Sequence, residues 1–342
     1  MDKTVIFAVA GSGKTTHIIN QLTLEKRALI ITYTNNNYDN LRRKIIGKWG
    51  YFPATIKLVN YYSFLYSFCY RPFLASKHST KGINWKSNTN FFARGDRRYI
   101  DNFGRLYSNR IAKFVVENNI LQDIIPRFSK YFDVLYIDEV QDFAGHDFNF
   151  LRDISQTDID MLFVGDFYQH TFDTSRDGKV NNSLHDDFRK YLGTFREAGF
   201  AIDSATLSKS YRCSPTLCQF ISDQIGIEIQ SHRTDSTLIT FVNNTAEAQD
   251  IFNDNQIVKL FYQEHYKYGC FSKNWGDCKG EDQYNNVCVI LNKTVLESYN
   301  SGRLKTLVPQ TRNKFYVACS RARQNLYFVP YTFLSTIAQK CE

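Results

Sequence analysis

Residues 4–15 read TVIFAVAGSGKT, and the fold is decided here. The run 4–9 (TVIFAV) is apolar and β-branched, as a buried strand requires. A glycine-rich turn follows, and a helix is expected near 14–23. Strand, glycine loop and helix in that order form the setting of a phosphate-binding loop. Glycines let the backbone curl until its N–H groups face phosphate oxygens, and the helix N-terminus adds partial positive charge. Ala10, Gly11, Ser12, Gly13, Lys14, Thr15 and Thr16 are the candidate nucleotide-binding residues. Lys14 would reach the outer phosphates, and the Thr15 hydroxyl would hold Mg²⁺. Ala8 stands where the pattern usually has its first glycine. The competing reading, a glycine-rich turn with a chance lysine, is disfavoured by the strand before it and the helix after it.

Further strands are expected at 28–33, 56–60, 133–137 and 161–165, with a polar helix near 36–47. Buried apolar strands separated by helices predict a parallel α/β sheet covered on both faces. Ligands of such sheets sit beyond the carboxyl ends of the strands. Those ends carry AGSGKT, TYTNN, DEVQD and GDFYQ, so the chemistry converges on one edge. Residues 72–130 interrupt the pattern and read as an insertion, with aromatics at 91, 92, 99, 103 and 107 and a helix-like piece at 105–119. Between 86 and 130 there are nine Lys/Arg and four Asp/Glu, most of the chain's formal charge of +8. A domain change is expected near 195–208, giving domains 1–200 and 201–342. Strands are expected at 237–242, 257–262, 287–291 and 325–329, and helices near 214–225 and 310–322.

Composition narrows the class. At 342 residues, 43% hydrophobic and 22% charged, with 17 Gly and 6 Pro, the chain is neither fibrous nor mostly disordered. No apolar run approaches the ~18 residues of a membrane span, and the first residues do not read as a signal peptide. Cysteines at 69, 213, 218, 270, 278, 288, 319 and 341 include no CxxC pair, which predicts reduced thiols and a cytoplasmic protein. The seven histidines show no ligand spacing, so no metal beyond Mg²⁺ is expected. The positive charge fits a polyanionic partner, though many proteins are mildly basic.

Asp138-Glu139 directly follows the apolar run DVLYI. A phosphate-loop enzyme needs one carboxylate at a neighbouring strand end for the metal and a base to orient the attacking water. Asp138 suits the first role and Glu139 the second; an exposed acidic turn is the plainer reading of such a pair alone. Gln169, in GDFYQ, could touch the terminal phosphate. Arg212 and Arg321 could stabilise charge on the transferred group. Taken singly, each of these three is more often an ordinary turn or surface residue.

Together the blocks are more specific. AVAGSGKTT, ALIITYTNNNYDNLRRKI, VLYIDEVQDF, LFVGDFYQHTF, LSKSYRCS, CKGEDQYNNVCVIL and FYVACSRARQNLYFV occur in this order. They resemble motifs I, Ia, II, III, IV, V and VI of superfamily 1A helicases, the UvrD/PcrA/Rep group. The resemblance implies two tandem RecA-like domains, with ATP between them and single-stranded DNA across the top. By position it implies that Lys14 and Thr15 bind phosphate and Mg²⁺. It gives Asp138 the metal, Glu139 the attacking water and Gln169 the coupling of hydrolysis to motion. Arg212 and Arg321 would be arginine fingers from the second domain, and Asp282 lies near a ribose-contacting acid. Thr34, Asn35, Tyr61 and Tyr62, with Tyr33, Asn60, Ser63 and Phe64 around them, would face DNA. Tyr168 and His170, with Phe167 and Phe172, would stack on bases. With 28 Phe and 22 Tyr in the chain, core packing competes for each aromatic. Arg94, Arg97, Arg98, Arg105 and Arg110 would bind phosphates, or form a solvated surface or a docking face.

The departures from the family are specific too. The adenine-reading glutamine block is missing ahead of the loop, which leaves nucleotide preference open. Motif IV reads SYRC, and motif V has one extra residue and lacks its leucine. The stretch between Arg212 and Lys279 is far too short for the family's large inserted domain. The expected function is an ATP-dependent translocase or helicase on single-stranded DNA, 3′-to-5′ by resemblance. The alternative is a nucleotide-switched subunit of a phage-defence or mobile-element complex that licenses a partner nuclease. A small-molecule kinase would not need the SYRC and CSRAR blocks.

Overall fold

Runs of branched and aromatic residues between glycine-bounded turns become the strands, and both principal sheets of the computed structural model are parallel. The structure describes residues 1–88, 90, 92–172 and 179–337; Phe91 and Cys341, singled out above, lie outside them. The chain divides into two compact units. Unit 1 comprises residues 1–7, 14–165 and 173–204, and unit 2 comprises residues 8–13, 166–172 and 205–342.

Unit 1 is built on six strands: β1 (Lys3–Phe7), β2 (Ala28–Thr32), β3 (Ile56–Asn60), β4 (Val134–Asp138), β5 (Asp160–Gly165) and β6 (Ala201–Asp203). Their order is β3-β2-β4-β5-β1-β6, and all neighbours are parallel. β2 (ALIIT) and β4 (VLYID) are buried throughout, as interior strands of a covered parallel sheet must be. Strand β1 ends at Phe7, two residues earlier than expected, because Ala8 and Val9 already belong to the loop.

Helix α1 (Lys14–Gln21) follows the loop, and α2 (Asn35–Trp49) follows β2. Thr34 caps α2 by accepting from the Asn37 N–H at 3.2 Å, and Gly50, at φ +79°, ends it. Later come α3 (Ile111–Glu117), α4 (Leu121–Tyr131), α5 (Gly145–Ile154) and α6 (Phe188–Glu197). The expected helix at 105–119 is corrected. Arg105–Tyr107 is a short strand paired in parallel with Gly82–Asn84, and α3 begins only at Ile111. The reason is local: Asp101 accepts the Arg105 backbone N–H at 2.9 Å, and the apolar helical stripe starts with Ile111, Ala112, Phe114 and Val115.

Unit 2 carries β7 (Ile239–Phe241), β8 (Ile257–Phe261), β9 (Ser272–Asn274), β10 (Asn286–Leu291) and β11 (Leu326–Pro330), in the parallel order β7-β11-β10-β8-β9. Helices α7 (Pro215–Phe220), α8 (Thr245–Asn253), α9 (Lys293–Asn300) and α10 (Pro309–Cys319) accompany them. Trp275, Phe315 and Phe328 sit in its core with Val258, Leu260 and Val289. The segment expected as one helix over 214–225 changes to a π-helical turn at Ile221 and stops at Gly226, φ +75°. Among the described residues, no helix is long and apolar enough to cross a membrane.

Candidate active site

In unit 1, β4 delivers Asp138 to the carboxyl end of the sheet, where it is buried. The next residue, Glu139, takes φ +60° and ψ +52°. That left-handed conformation is costly for a residue with a side chain. The turn brings Glu139 Oε1 to 3.7 Å from Lys14 Nζ, with both side chains only 9% exposed. Gln141 Nε2 donates to the other carboxylate oxygen at 2.5 Å. Gly165, the last residue of β5, packs against the same turn. A Cβ at Gly165 would overlap the Gln141 side-chain oxygen and the Val140 side chain. The sequence alone assigns Gln141 no role, although it lies inside DEVQD. Thr15 is half-buried in the first turn of α1, and the exposed Thr16 hydroxyl accepts from Lys44 Nζ at 3.0 Å. Lys14 and Glu139, far apart in sequence, are therefore brought together at the carboxyl end of the sheet, with the carboxylate buried.

In unit 2, the loop residues Gly11 and Gly13 have φ of +71° and +88°. A Cβ on Gly11 would come within 2.6 Å of Arg212 Cβ and 2.7 Å of Ser210 Oγ, so glycine is required there twice over. The buried Ser12 hydroxyl has no hydrogen-bond partner among the described residues. Ala10 N–H donates to Tyr316 Oη at 2.8 Å, and Tyr316 Oη donates to Asp166 Oδ2 at 3.0 Å. Gln169 Nε2 donates to the same Asp166 oxygen at 2.9 Å. Asp166 is thus a hub that joins the phosphate loop, Gln169 and α10. Burial, then the Asp166 charge, pushes the Tyr316 phenol well above its usual range, so it stays a neutral donor. The sequence points to neither Tyr316 nor Asp166 individually, though both lie in quoted blocks.

The two arginines are buried and engaged. Arg212 donates to the Ser320 carbonyl at 3.0 Å and is ion-paired with Asp282. Burial, then the neighbouring Arg321 charge, pulls the Arg212 guanidinium below its usual range. Arg321 donates to the carbonyls of Val317 (3.2 Å) and Glu281 (3.1 Å). Asp282, expected near a ribose, is here the partner of Arg212.

The residues expected at nucleic acid separate into two groups. Asn35 is exposed and accepts from Asn60 Nδ2 at 2.6 Å, and Tyr62 is half-buried. Thr34 is half-buried and serves α2 as its cap. Tyr168 is half-buried, with the Arg312 guanidinium 5.4 Å from its ring centroid, and Phe172 is exposed. Tyr61 is corrected. Its ring packs between Tyr33 and Phe143, its hydroxyl donates to Asp147 at 3.1 Å, and no base can reach it. Phe64, Phe167 and His170 are buried as well. The Asn313 side chain donates to the His170 carbonyl at 3.1 Å, which fixes that turn from α10. Arg110 is also corrected: it is buried and donates to the Arg98 carbonyl at 2.8 Å. Arg94 and Arg97 are exposed, whereas Arg105 is paired with Asp101 at 2.8 Å.

The viral superfamily 1 RNA helicase core domain matches residues 116–330. No curated protein matches the chain. Among solved structures it is similar to the arterivirus nonstructural protein 10 helicase, at 15% identity and a TM-score of 0.51, over 98% of this chain and 62% of that one. The same arterivirus helicase in complex with DNA matches at 15% identity and 0.51, over 98% of this chain and 63% of that one. The chain therefore spans less than two thirds of these helicases, and at this identity the likeness shows a shared fold. The family match covers more than half of the sequence, and the chain belongs to the viral superfamily 1 RNA helicase core family, an enzyme family of the NTPase/helicase class.

Proposed function

We propose that the chain is an ATP-driven motor on single-stranded nucleic acid, with residues 1–200 as its ATP-binding domain and 201–342 as a second RecA-like domain. The observation that carries this reading is the buried Lys14 that follows the glycine loop, held 3.7 Å from the buried Glu139 carboxylate in unit 1. The left-handed loop glycines and the unpartnered, buried Ser12 hydroxyl fit a phosphate group. No cluster of three or more metal-ligating side chains exists among the described residues. Mg²⁺ carried by a nucleotide takes only one or two protein ligands; Thr15 and Asp138 would supply them. Bound Mg²⁺ would offset charge on the phosphate oxygens. Lys14 would hold the outer phosphates, Glu139 would orient and deprotonate the attacking water, and Gln141 keeps Glu139 in place. Asp166 ties Gln169 to the loop, so a change at the phosphates reaches α10 through Tyr316.

The spellings DEVQD and VACSRAR support a UvrD/PcrA/Rep-like member moving 3′-to-5′ on DNA. The cysteine spacing supports a reducing, cytoplasmic setting. The second reading, a nucleotide-switched subunit licensing a partner nuclease, also has an observation behind it. Arg212 and Arg321 both make internal hydrogen bonds, so neither serves a phosphate without rearranging.

The test is steady-state ATP turnover with and without single-stranded DNA or RNA, beside Lys14→Ala and Glu139→Gln. Strong stimulation by nucleic acid that both substitutions abolish supports the motor. Turnover indifferent to nucleic acid sinks it in favour of the switch. Unwinding of duplexes with 3′ or 5′ tails then reads polarity.

A further inference from the structure

Trp85 is 66% exposed, an unusual position for the largest apolar side chain. Single exposed hydrophobic residues are common and need no explanation; the position of this one does. It follows the short strand Gly82–Asn84, whose pairing with Arg105–Tyr107 is anchored by the fully buried Leu106. Asn84 fixes the turn on both sides, donating to Asp101 at 2.8 Å and accepting the Lys86 N–H at 3.0 Å. The indole therefore stands on a braced turn.

The Tyr62 ring lies 5.3 Å from it and nearly perpendicular. Tyr62 shares a 2.6 Å hydroxyl–hydroxyl hydrogen bond with Tyr33. Tyr33 follows β2 and Tyr62 follows β3, so both mark carboxyl ends of the first sheet. A row of rings thus runs from buried Tyr61 through Tyr33 and Tyr62 to exposed Trp85. Exposed lysines, Lys81 and Lys86, bracket the strand and the indole. The stretch 86–130 beyond it has more than twice as many basic as acidic residues. An aromatic platform flanked by cations on a rigid support is what binds single strands without sequence preference.

We infer that Trp85 is a base-stacking residue for single-stranded nucleic acid, extending the Tyr33–Tyr62 edge of the first sheet onto the inserted segment. The inference rests on the nucleic-acid reading above and adds a contact outside every motif that suggested it. The indole supplies a π-face to any base, and the lysines supply charge to the phosphates on either side.

The experiment measures binding of a fluorescein-labelled oligothymidylate by anisotropy, for wild type, Trp85→Ala, Trp85→Phe and Phe92→Ala. Intrinsic tryptophan fluorescence is followed in parallel. Trp85→Ala should weaken binding about fivefold or more, Trp85→Phe should retain most of it, and Phe92→Ala should match wild type. The oligonucleotide should quench wild-type fluorescence, and Trp85→Phe should lose most of that quench while still binding; of the two other tryptophans, Trp275 is fully buried and half-buried Trp49, at the end of α2, gives the background that Trp85→Phe retains. Wild-type affinity in Trp85→Ala, with the quench unchanged in Trp85→Phe, overturns the inference and leaves the indole to a protein partner. If Trp85→Ala does not fold, the quench in Trp85→Phe still decides. A wild-type chain that binds no oligonucleotide overturns the nucleic-acid reading itself, and this result is distinct from the others.

Discussion

At the amino ends of the first sheet, Lys26 pairs with Asp160 at 2.9 Å and Arg27 with Asp133 at 2.6 Å. At its carboxyl ends, Lys14 and Glu139 stand 3.7 Å apart. Both ends set a cation beside a carboxylate, but the environments are opposite. The amino-end partners are 36–56% exposed, and Arg27 also caps the Lys130 carbonyl at 2.6 Å. Water supports every member, and the contacts are tight. The carboxyl-end pair is almost dry, looser, and rests on a residue in a left-handed backbone conformation. Exposed pairs add little to stability, whereas buried ones cost desolvation that a loose contact does not recover. The poorly optimised pair is the one that the proposed function gives to a nucleotide, since strain and loose contacts persist where something other than stability is served.

Substitutions at Lys14 and Glu139 test the contrast between the two ends of the sheet with the largest expected effect. Lys14→Ala or Glu139→Gln should lower ATP turnover by about 10²–10⁴-fold while the melting temperature barely moves. Turnover within tenfold of wild type would show that the carboxyl end is not the working end. Gly165→Ala should cost about 1–3 kcal/mol in denaturant unfolding, because its Cβ meets Gln141 and Val140, and turnover should fall with it. Gly193→Ala, in α6 with open space around it, is the control and should stabilise slightly. Glu139→Gly should gain about 1 kcal/mol of stability by removing the left-handed strain, and lose activity. A loss of stability there would mean that the Lys14 contact outweighs the backbone.

The smallest effect belongs to the amino end. The Arg27 side chain beside Asp133 holds its carboxyl down to about 2. Its contribution is therefore present above the ordinary carboxylate value of ~3.9 and fades as pH falls toward 2. Asp133→Asn should lower the melting temperature by at most about 2 °C at neutral pH, by less in acid, and leave turnover unchanged.

Much of this is legible in the sequence, for physical reasons. Buried parallel strands need unbroken apolar runs, so ALIIT and VLYID announce themselves. The glycine loop and DEVQD are compact because phosphate chemistry demands contiguous backbone. What is hidden depends on distant contacts. Tyr316 is one of two neighbouring aromatics in its helix until the fold brings its hydroxyl to Ala10 and Asp166. Tyr61 and Tyr62 are adjacent in sequence, yet one is core and the other partly open, and no local pattern separates them. Arg110 reads as one more cation of a basic stretch, but the backbone carbonyls it serves belong to Arg98 and Asn88. The left-handed Glu139 cannot be read at all, because nothing in a glutamate signals that backbone.

Strand β1 pairs with β5 through Lys3↔Met161 and with β6 through Thr4↔Ala201. A ribosome makes β1 first and its neighbours more than 150 residues later. At ~5–20 residues per second, an apolar strand edge waits roughly ten seconds or longer without its partners. For that interval the phosphate loop hangs from a strand that has no sheet, and the nascent chain must be kept from pairing with its neighbours. The order of strands that shapes the carboxyl edge of the sheet therefore also sets a timetable for the cell: the glycine loop is translated well before the strands that flank β1 and takes form only with them.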